Sequence, residues 1–161
     1  MRLNFSWVAL VCMVTAAVPV AAQEQDYGTS LRHIYFAHQR LLAVRDACDR
    51  VFPEQAKAAE RAYAVWQGRH KALLGELDLR LTHMIRGASK DEQEYARNIG
   101  KYEGAILQYR NEQRDEIMAQ PREGMAQGCE DFRNYLTGSG SDFHAEYADE
   151  LRVLRKRKLP K

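Results

Sequence analysis

Residues 53–92 read PEQAKAAERAYAVWQGRHKALLGELDLRLTHMIRGASKDE. Ala59, Tyr63, Trp66, His70, Leu73 or Leu74, Leu77, Leu81 and Met84 or Ile85 recur every three or four residues, which is one face of an α-helix. Pro53 suits the first helical turn, where its missing N–H is not needed, and disfavours helical geometry at Phe52. The pattern predicts a helix from Pro53 to about Arg86, near 50 Å long at about 1.5 Å per residue. Gly87 suits the position just past its end. Ser89-Lys90-Asp91-Glu92 reads as a capping box that starts the next helix, with Ser89 as the cap. Residues 86–89 therefore make a helical hairpin.

The same periodicity extends outward in both directions. Upstream, Ile34, Ala37, Leu41, Val44, Cys48 and Val51 form one stripe of a first helix, expected to begin at a Thr29 or Ser30 cap. Downstream, Tyr95, Ile99, Tyr102, Ile106, Tyr109, Gln113 and Ile117 mark a tyrosine-rich third helix that ends before Pro121. Met125, Cys129, Phe132 and Leu136 mark a shorter fourth. Thr137-Gly138-Ser139-Gly140-Ser141 reads as a flexible joint. Beyond it Phe143, Tyr147, Leu151 and Leu154 mark a fifth helix, capped by Ser141 or Asp142. No stretch alternates like a strand. The expected fold is all-α: an antiparallel four-helix bundle over residues 23–136, a joint at 137–141, and a basic C-terminal helix and tail over 142–161.

Residues 1–22 read as a cleavable secretory signal peptide. Arg2 is the positive end, Trp7 to Val18 the apolar run, and Val20-Ala21-Ala22 the small-residue cleavage site. The apolar run is shorter than the ~20 residues a membrane-spanning helix needs. No later stretch is apolar enough to span a bilayer. The expected location is periplasmic or secreted, after cleavage near Ala22. Cys12 leaves with the leader, so Cys48 and Cys129 remain as a pair in a compartment that permits disulfides. Matched helix lengths put both near the Phe52-Pro53 and Pro121 corners at one end of the bundle. The reading therefore favours a Cys48–Cys129 staple over two reduced thiols.

Charge is nearly balanced in total and uneven in placement. Residues 23–151 hold 17 Lys and Arg against 22 Asp and Glu, whereas residues 152–161 carry Arg152, Arg155, Lys156, Arg157, Lys158 and Lys161 with no acid. Such a tail suits an anionic surface, or folds back on the acidic body. In an exported protein it does not argue for nucleic acid.

The chemistry-bearing residues argue against most enzyme classes. His33, His38, His70, His83 and His144 include no pair three or four residues apart, and there is no Glu-x-x-His, so no helical metal site is expected. His70 lies on the inner stripe, where a hydrogen-bonded core histidine is the expected role. No haem-attachment motif, nucleophile elbow, phosphate-cradling loop or dinucleotide fingerprint occurs, so no cofactor is expected. Carboxylates are scattered among lysines and arginines, as on solvated helical faces. The two candidate binding surfaces are the Gly100, Tyr102 and Gly104 strip of the third helix, and the basic end with Arg152, Arg155, Lys156, Arg157 and Lys158. Packing of another helix against the two glycines is the structural expectation for that strip.

Cys48, Phe52-Pro53 and Trp66-Gln67-Gly68-Arg69 together resemble small exported all-helical proteins of Gram-negative bacteria over residues 40–75. The paired cysteines and the Trp66-x-x-Arg69 helix are also similar to lysozyme-inhibitor-like exported proteins. The resemblance implies an envelope location and a helical fold, and it carries over no functional residue. The sequence thus points to an exported, non-catalytic protein that binds another envelope protein as an inhibitor, immunity or accessory factor. Binding of a small apolar ligand or anionic envelope polymer is the alternative, and an enzyme of unrecognised type the third reading.

Overall fold

A computed structural model describes the backbone of residues 20–159 and the side chains of residues 26–159. Residues 1–19, which hold the charged and apolar parts of the expected signal peptide, lie outside the described residues. The described chain is all-helical: α1 (Val20–Val51), α2 (Pro53–Gly87), α3 (Glu92–Met118), α4 (Arg122–Thr137), α5 (Phe143–Glu146) and α6 (Ala148–Arg155), with a 3₁₀ turn at Ser139–Ser141. No helix among the described residues is long and apolar enough to cross a membrane.

Helix α1 starts at Val20, nearly three turns earlier than expected. Thr29 and Ser30 lie inside it rather than capping it, and Ser30 is buried. Tertiary contact explains the extension: Tyr27 is buried in the core, and the Arg157 guanidinium lies 4.8 Å from its ring centroid. Helix propensity alone does not carry a helix through Gly28, whereas packing does. Pro53 opens α2 as expected, and Phe52 forms the whole corner between the first two helices. It donates its N–H to the Cys48 carbonyl at 2.8 Å and is itself buried.

The cap of α3 is Asp91, not Ser89. Asp91 Oδ1 accepts from the Glu94 N–H at 2.7 Å, and Glu94 Oε2 accepts from the Lys90 N–H at 2.8 Å. Ser89 is used elsewhere: its hydroxyl donates to the Ile85 carbonyl at 2.7 Å, one of the acceptors left unpaired where α2 ends. Glu92 pairs with Arg86 across the turn at 2.6 Å.

The helices do not share the core equally. Helix α1 touches α2, α3, α4 and α6, so it is the central element. This is why its single expected stripe is too narrow: Leu31, Ala43 and Ala47 are fully buried alongside Ile34. Helix α3 presents its expected tyrosine face to α1, yet none of its residues is buried. It lies on α1 through a stacked Phe36–Tyr109 pair (centroids 4.5 Å) and an edge-on Tyr35–Tyr102 pair (6.1 Å). Arg110 of α3 pairs through Nε and Nη2 with Asp46 of α1. On the other side, Met125, Cys129, Phe132 and Leu136 of α4 are all buried, as their spacing predicts.

Cys48 and Cys129 form the disulfide, with Cα atoms 5.7 Å apart. It sits in a small apolar cluster with Ala47, Phe52 and Met125, separate from the main core.

Ser141 of the expected joint and the C-terminal helix beyond it pack into the main body. Ser141 is fully buried, its carbonyl accepts from Trp66 Nε1 at 2.8 Å, and its hydroxyl donates to the Gly138 carbonyl at 3.0 Å. Phe143, Tyr147, Leu151 and Leu154 all belong to the main core. The expected fifth helix is broken at Tyr147 into α5 and α6. Asp142 caps α5, accepting from the His144 N–H at 2.9 Å. The Gly-Ser composition thus marks a tight turn filled by its own hydroxyls rather than a linker.

Candidate functional site

Two places concentrate polar chemistry, and they differ in accessibility. The first is a buried stack on α2. His38, Tyr63, Trp66, His70 and Phe143 contact ring to ring, with Trp66 and His70 centroids 4.5 Å apart and Trp66 and Phe143 4.9 Å apart. Both His70 nitrogens are occupied: Nδ1 lies 2.9 Å from the Trp66 carbonyl, and Nε2 3.2 Å from the Phe143 N–H. A carbonyl accepts and an amide N–H donates, so Nδ1 carries the hydrogen and Nε2 the lone pair. The Asp142 carboxylate stands farther off, 3.5 Å from Nε2. His70 is therefore a core histidine that fixes the chain entering α5.

Other α2 side chains act in the same way. Arg69 donates to the Leu136 carbonyl. Arg80, only 4% exposed, donates to the carbonyls of Leu154 at 2.8 Å and Arg157 at 3.0 Å, and pairs with Glu76 at 2.8 Å. Trp66, Arg69, His70 and Arg80 thus form a ladder along one helix that grips the backbone of residues 136–157. The sequence reading missed Arg80. The signal was present, because Arg80 is seven residues beyond Leu73 and fourteen beyond Trp66, which places it on the inner stripe.

His38 closes the stack on the α1 side. Its Nε2 lies 2.9 Å from the Tyr63 hydroxyl. Burial, with the nearby Arg110 and Arg45 charges adding to it, lowers its pKa from 6.5 to about 4. The unfolded chain therefore takes up a proton near pH 6.5, while the folded protein resists until about pH 4. Stability contributed by the neutral ring is present above pH 6.5 and is lost as pH falls toward 4, by about 3 kcal/mol at about 1.4 kcal/mol per pH unit. Urea melts from pH 7 to pH 4.5 should show a smaller loss for His38→Gln than for the parent. Parallel curves would contradict the assignment.

Asp49, beside the disulfide, has a buried Oδ1 without a hydrogen-bond partner. Burial chiefly raises its pKa, with Arg45 opposing and Asp46 and Glu60 adding. Among the described residues no three His, Cys, Asp or Glu side chains converge to hold a metal ion.

The second place is an accessible groove of ≈ 790 Å³. Its floor is α1 from Thr29 to Val44, one wall is Tyr109 of α3, and the other is Tyr135 of α4 with Phe143, Glu146 and Tyr147. It exists because α3 and α4 each pack on the central α1 without covering the face between them. The second wall is internally tied: the Tyr135 hydroxyl donates to Glu146 Oε2 at 2.8 Å, and the Tyr147 ring meets Phe143 edge-on at 4.9 Å. Burial pushes the Tyr147 hydroxyl up to about 12, so it stays a neutral donor.

The expected binding residues fall elsewhere. Gly100 and Gly104 are exposed, and a Cβ at either would meet nothing within 4 Å, so no helix packs against them. Tyr102 turns inward to Tyr35. The basic end is partly neutralised: Arg155 pairs with Glu76 and Arg152 with Asp149, each at 2.8 Å. Arg157 packs on Tyr27, while Lys156 and Lys158 are exposed. Sequence reasoning missed the groove because its lining comes from four separated segments.

The described residues define a disulfide-bonded, all-helical body with an aromatic groove along its central helix. No family model, curated protein or solved structure matches the chain.

Proposed function

We propose that this chain is an exported, non-catalytic protein that binds another envelope protein, as an inhibitor, immunity or accessory factor does. The short connections support an antiparallel run of its four long helices, onto which the basic C-terminal segment folds back. The observation that carries the reading is the groove: Phe36, Tyr109, Tyr135 and Tyr147 with Arg32 and Arg40 line an accessible channel on rigid helices. Aromatic residues and arginine are the side chains that concentrate binding energy at protein interfaces. The channel stands wide to solvent, which suits a protein segment better than a small apolar ligand needing enclosure. The tail is the weaker candidate, because two of its arginines are paired within the chain.

The test is non-reducing affinity capture from solubilised envelope. Protein purified after expression of the full chain is compared with Phe36→Ala and with the double variant Lys156→Glu, Lys158→Glu. One stoichiometric partner, lost with Phe36→Ala and kept with the tail variant, is the expected result. Capture that depends on the tail and not on Phe36 would move the site. Turnover of an envelope substrate by the purified protein would overturn the non-catalytic reading.

A further inference from the structure

On the binding-protein reading, we propose that the groove takes an acidic amphipathic helix of the partner, whose carboxylates two turns apart are held by Arg32 and Arg40. The side chain between them would rest on Phe36 and Tyr109.

Arg32, Phe36 and Arg40 stand at i, i+4 and i+8 on α1, so they share one face. At a rise of about 1.5 Å per residue the two arginines are about 12 Å apart. Between them Phe36 lies parallel to Tyr109, 16° from coplanar, as an apolar platform. Both arginines are exposed, and among the described residues neither makes a hydrogen bond or ion pair. The acids nearby are already engaged: Glu146 accepts from Tyr135, and Glu150 pairs with His33 at 2.7 Å. Glu146 keeps its negative charge on accepting from a neutral phenol, so among the described residues the lining sets two guanidinium groups, Arg32 and Arg40, against that one carboxylate and is net positive.

The spacing and the walls select the form of that partner. Acidic residues seven or eight positions apart on a helix match the about 12 Å rise between the Arg32 and Arg40 backbone positions, which a single phosphate or carboxylate does not span. An extended peptide gains its affinity from backbone hydrogen bonds to a sheet edge, and among the described residues there is no strand. Helical walls instead accept a third helix, with side chains fitting between ridges. A membrane surface is disfavoured because the arginines lie in a concavity rather than on a projecting face.

Fluorescence anisotropy with two labelled 18-residue helical peptides tests this. One has glutamates at i and i+7 flanking leucines, and the other has lysines in those places. The acidic peptide should bind, and the lysine peptide should not. Arg32→Gln and Arg40→Gln should each weaken binding by about tenfold and reduce its salt dependence. Tyr109→Ala should weaken binding and leave the salt dependence unchanged. Circular dichroism checks that each variant is folded, which the exposure of both arginines favours. Equal binding of both peptides, or unchanged binding by both arginine variants, overturns the proposal. Failure of the acidic peptide while envelope capture still depends on Phe36 overturns the acidic helix and leaves the binding-protein reading standing. Loss of that Phe36 dependence as well removes both.

Discussion

A chain ending at Leu151 should melt at least about 10 °C below the full-length protein while remaining helical. The truncation removes Leu154, which is fully buried, and so opens a cavity beneath α1 and α2. Deleting a buried leucine side chain costs about 2–5 kcal/mol. It also removes both carbonyls that accept from Arg80, a side chain only 4% exposed. Leaving a buried donor short of its acceptors adds about 1–3 kcal/mol. For a chain of this size each kcal/mol moves the melting temperature by roughly 3–4 °C. Leu154→Ala alone should reproduce the cavity part of the loss. Differential scanning calorimetry decides the matter: an unchanged transition in the truncated chain would restore the flexible joint expected from the Gly-Ser composition.

Reduction of the Cys48–Cys129 bond should have an effect of similar size. The bond closes a loop across 81 residues. Constraining the unfolded chain to that loop contributes up to about 4–5 kcal/mol on the entropic account. The disulfide ties α1 to α4 in a small cluster apart from the main core, so no other large contact surface substitutes for it there. Cys48→Ser paired with Cys129→Ser should match the parent in reductant. Equal melting temperatures for the parent in oxidant and in reductant would show that the bond does not stabilise the fold. Loss mainly in the α4 region, read by hydrogen exchange, is the expected pattern.

The elements legible in the sequence were those with one job. Helix α2 buries one face, so its stripe from Ala59 to Ile85 was read almost residue for residue. Helix α4 is the same, and the cysteine pair followed from the level ends of neighbouring helices. Helix α1 was read too narrowly because four neighbours surround it, and a single-face pattern cannot report burial on several sides. The Ser89 cap was misplaced because two overlapping boxes, Ser89-x-x-Glu92 and Asp91-x-x-Glu94, fit the same stretch. Local pattern cannot choose between them, whereas the Ile85 carbonyl, which takes the serine hydroxyl, can.

The site was less legible than the fold. Gly100 and Gly104 stand one turn apart, yet nothing lies within 4 Å of a Cβ built at either. His70 was read as a core histidine, and its two hydrogen bonds agree. Arg80 does not stand out in the sequence, because an arginine in a core is costly unless its donors are met, and the backbone acceptors that meet them lie more than seventy residues away.

The helical class, the course of α2 and α4 and the cysteine pairing are legible in the sequence, because periodicity and helix length are properties of the chain taken in order. Packing between distant segments is what buries Ser141, Phe143, Tyr147, Leu151 and Leu154, makes α1 central, and brings Arg32, Phe36, Tyr109 and Tyr135 to one groove. Those outcomes depend on which distant segments meet, and a linear pattern of apolar residues holds no record of what each will meet.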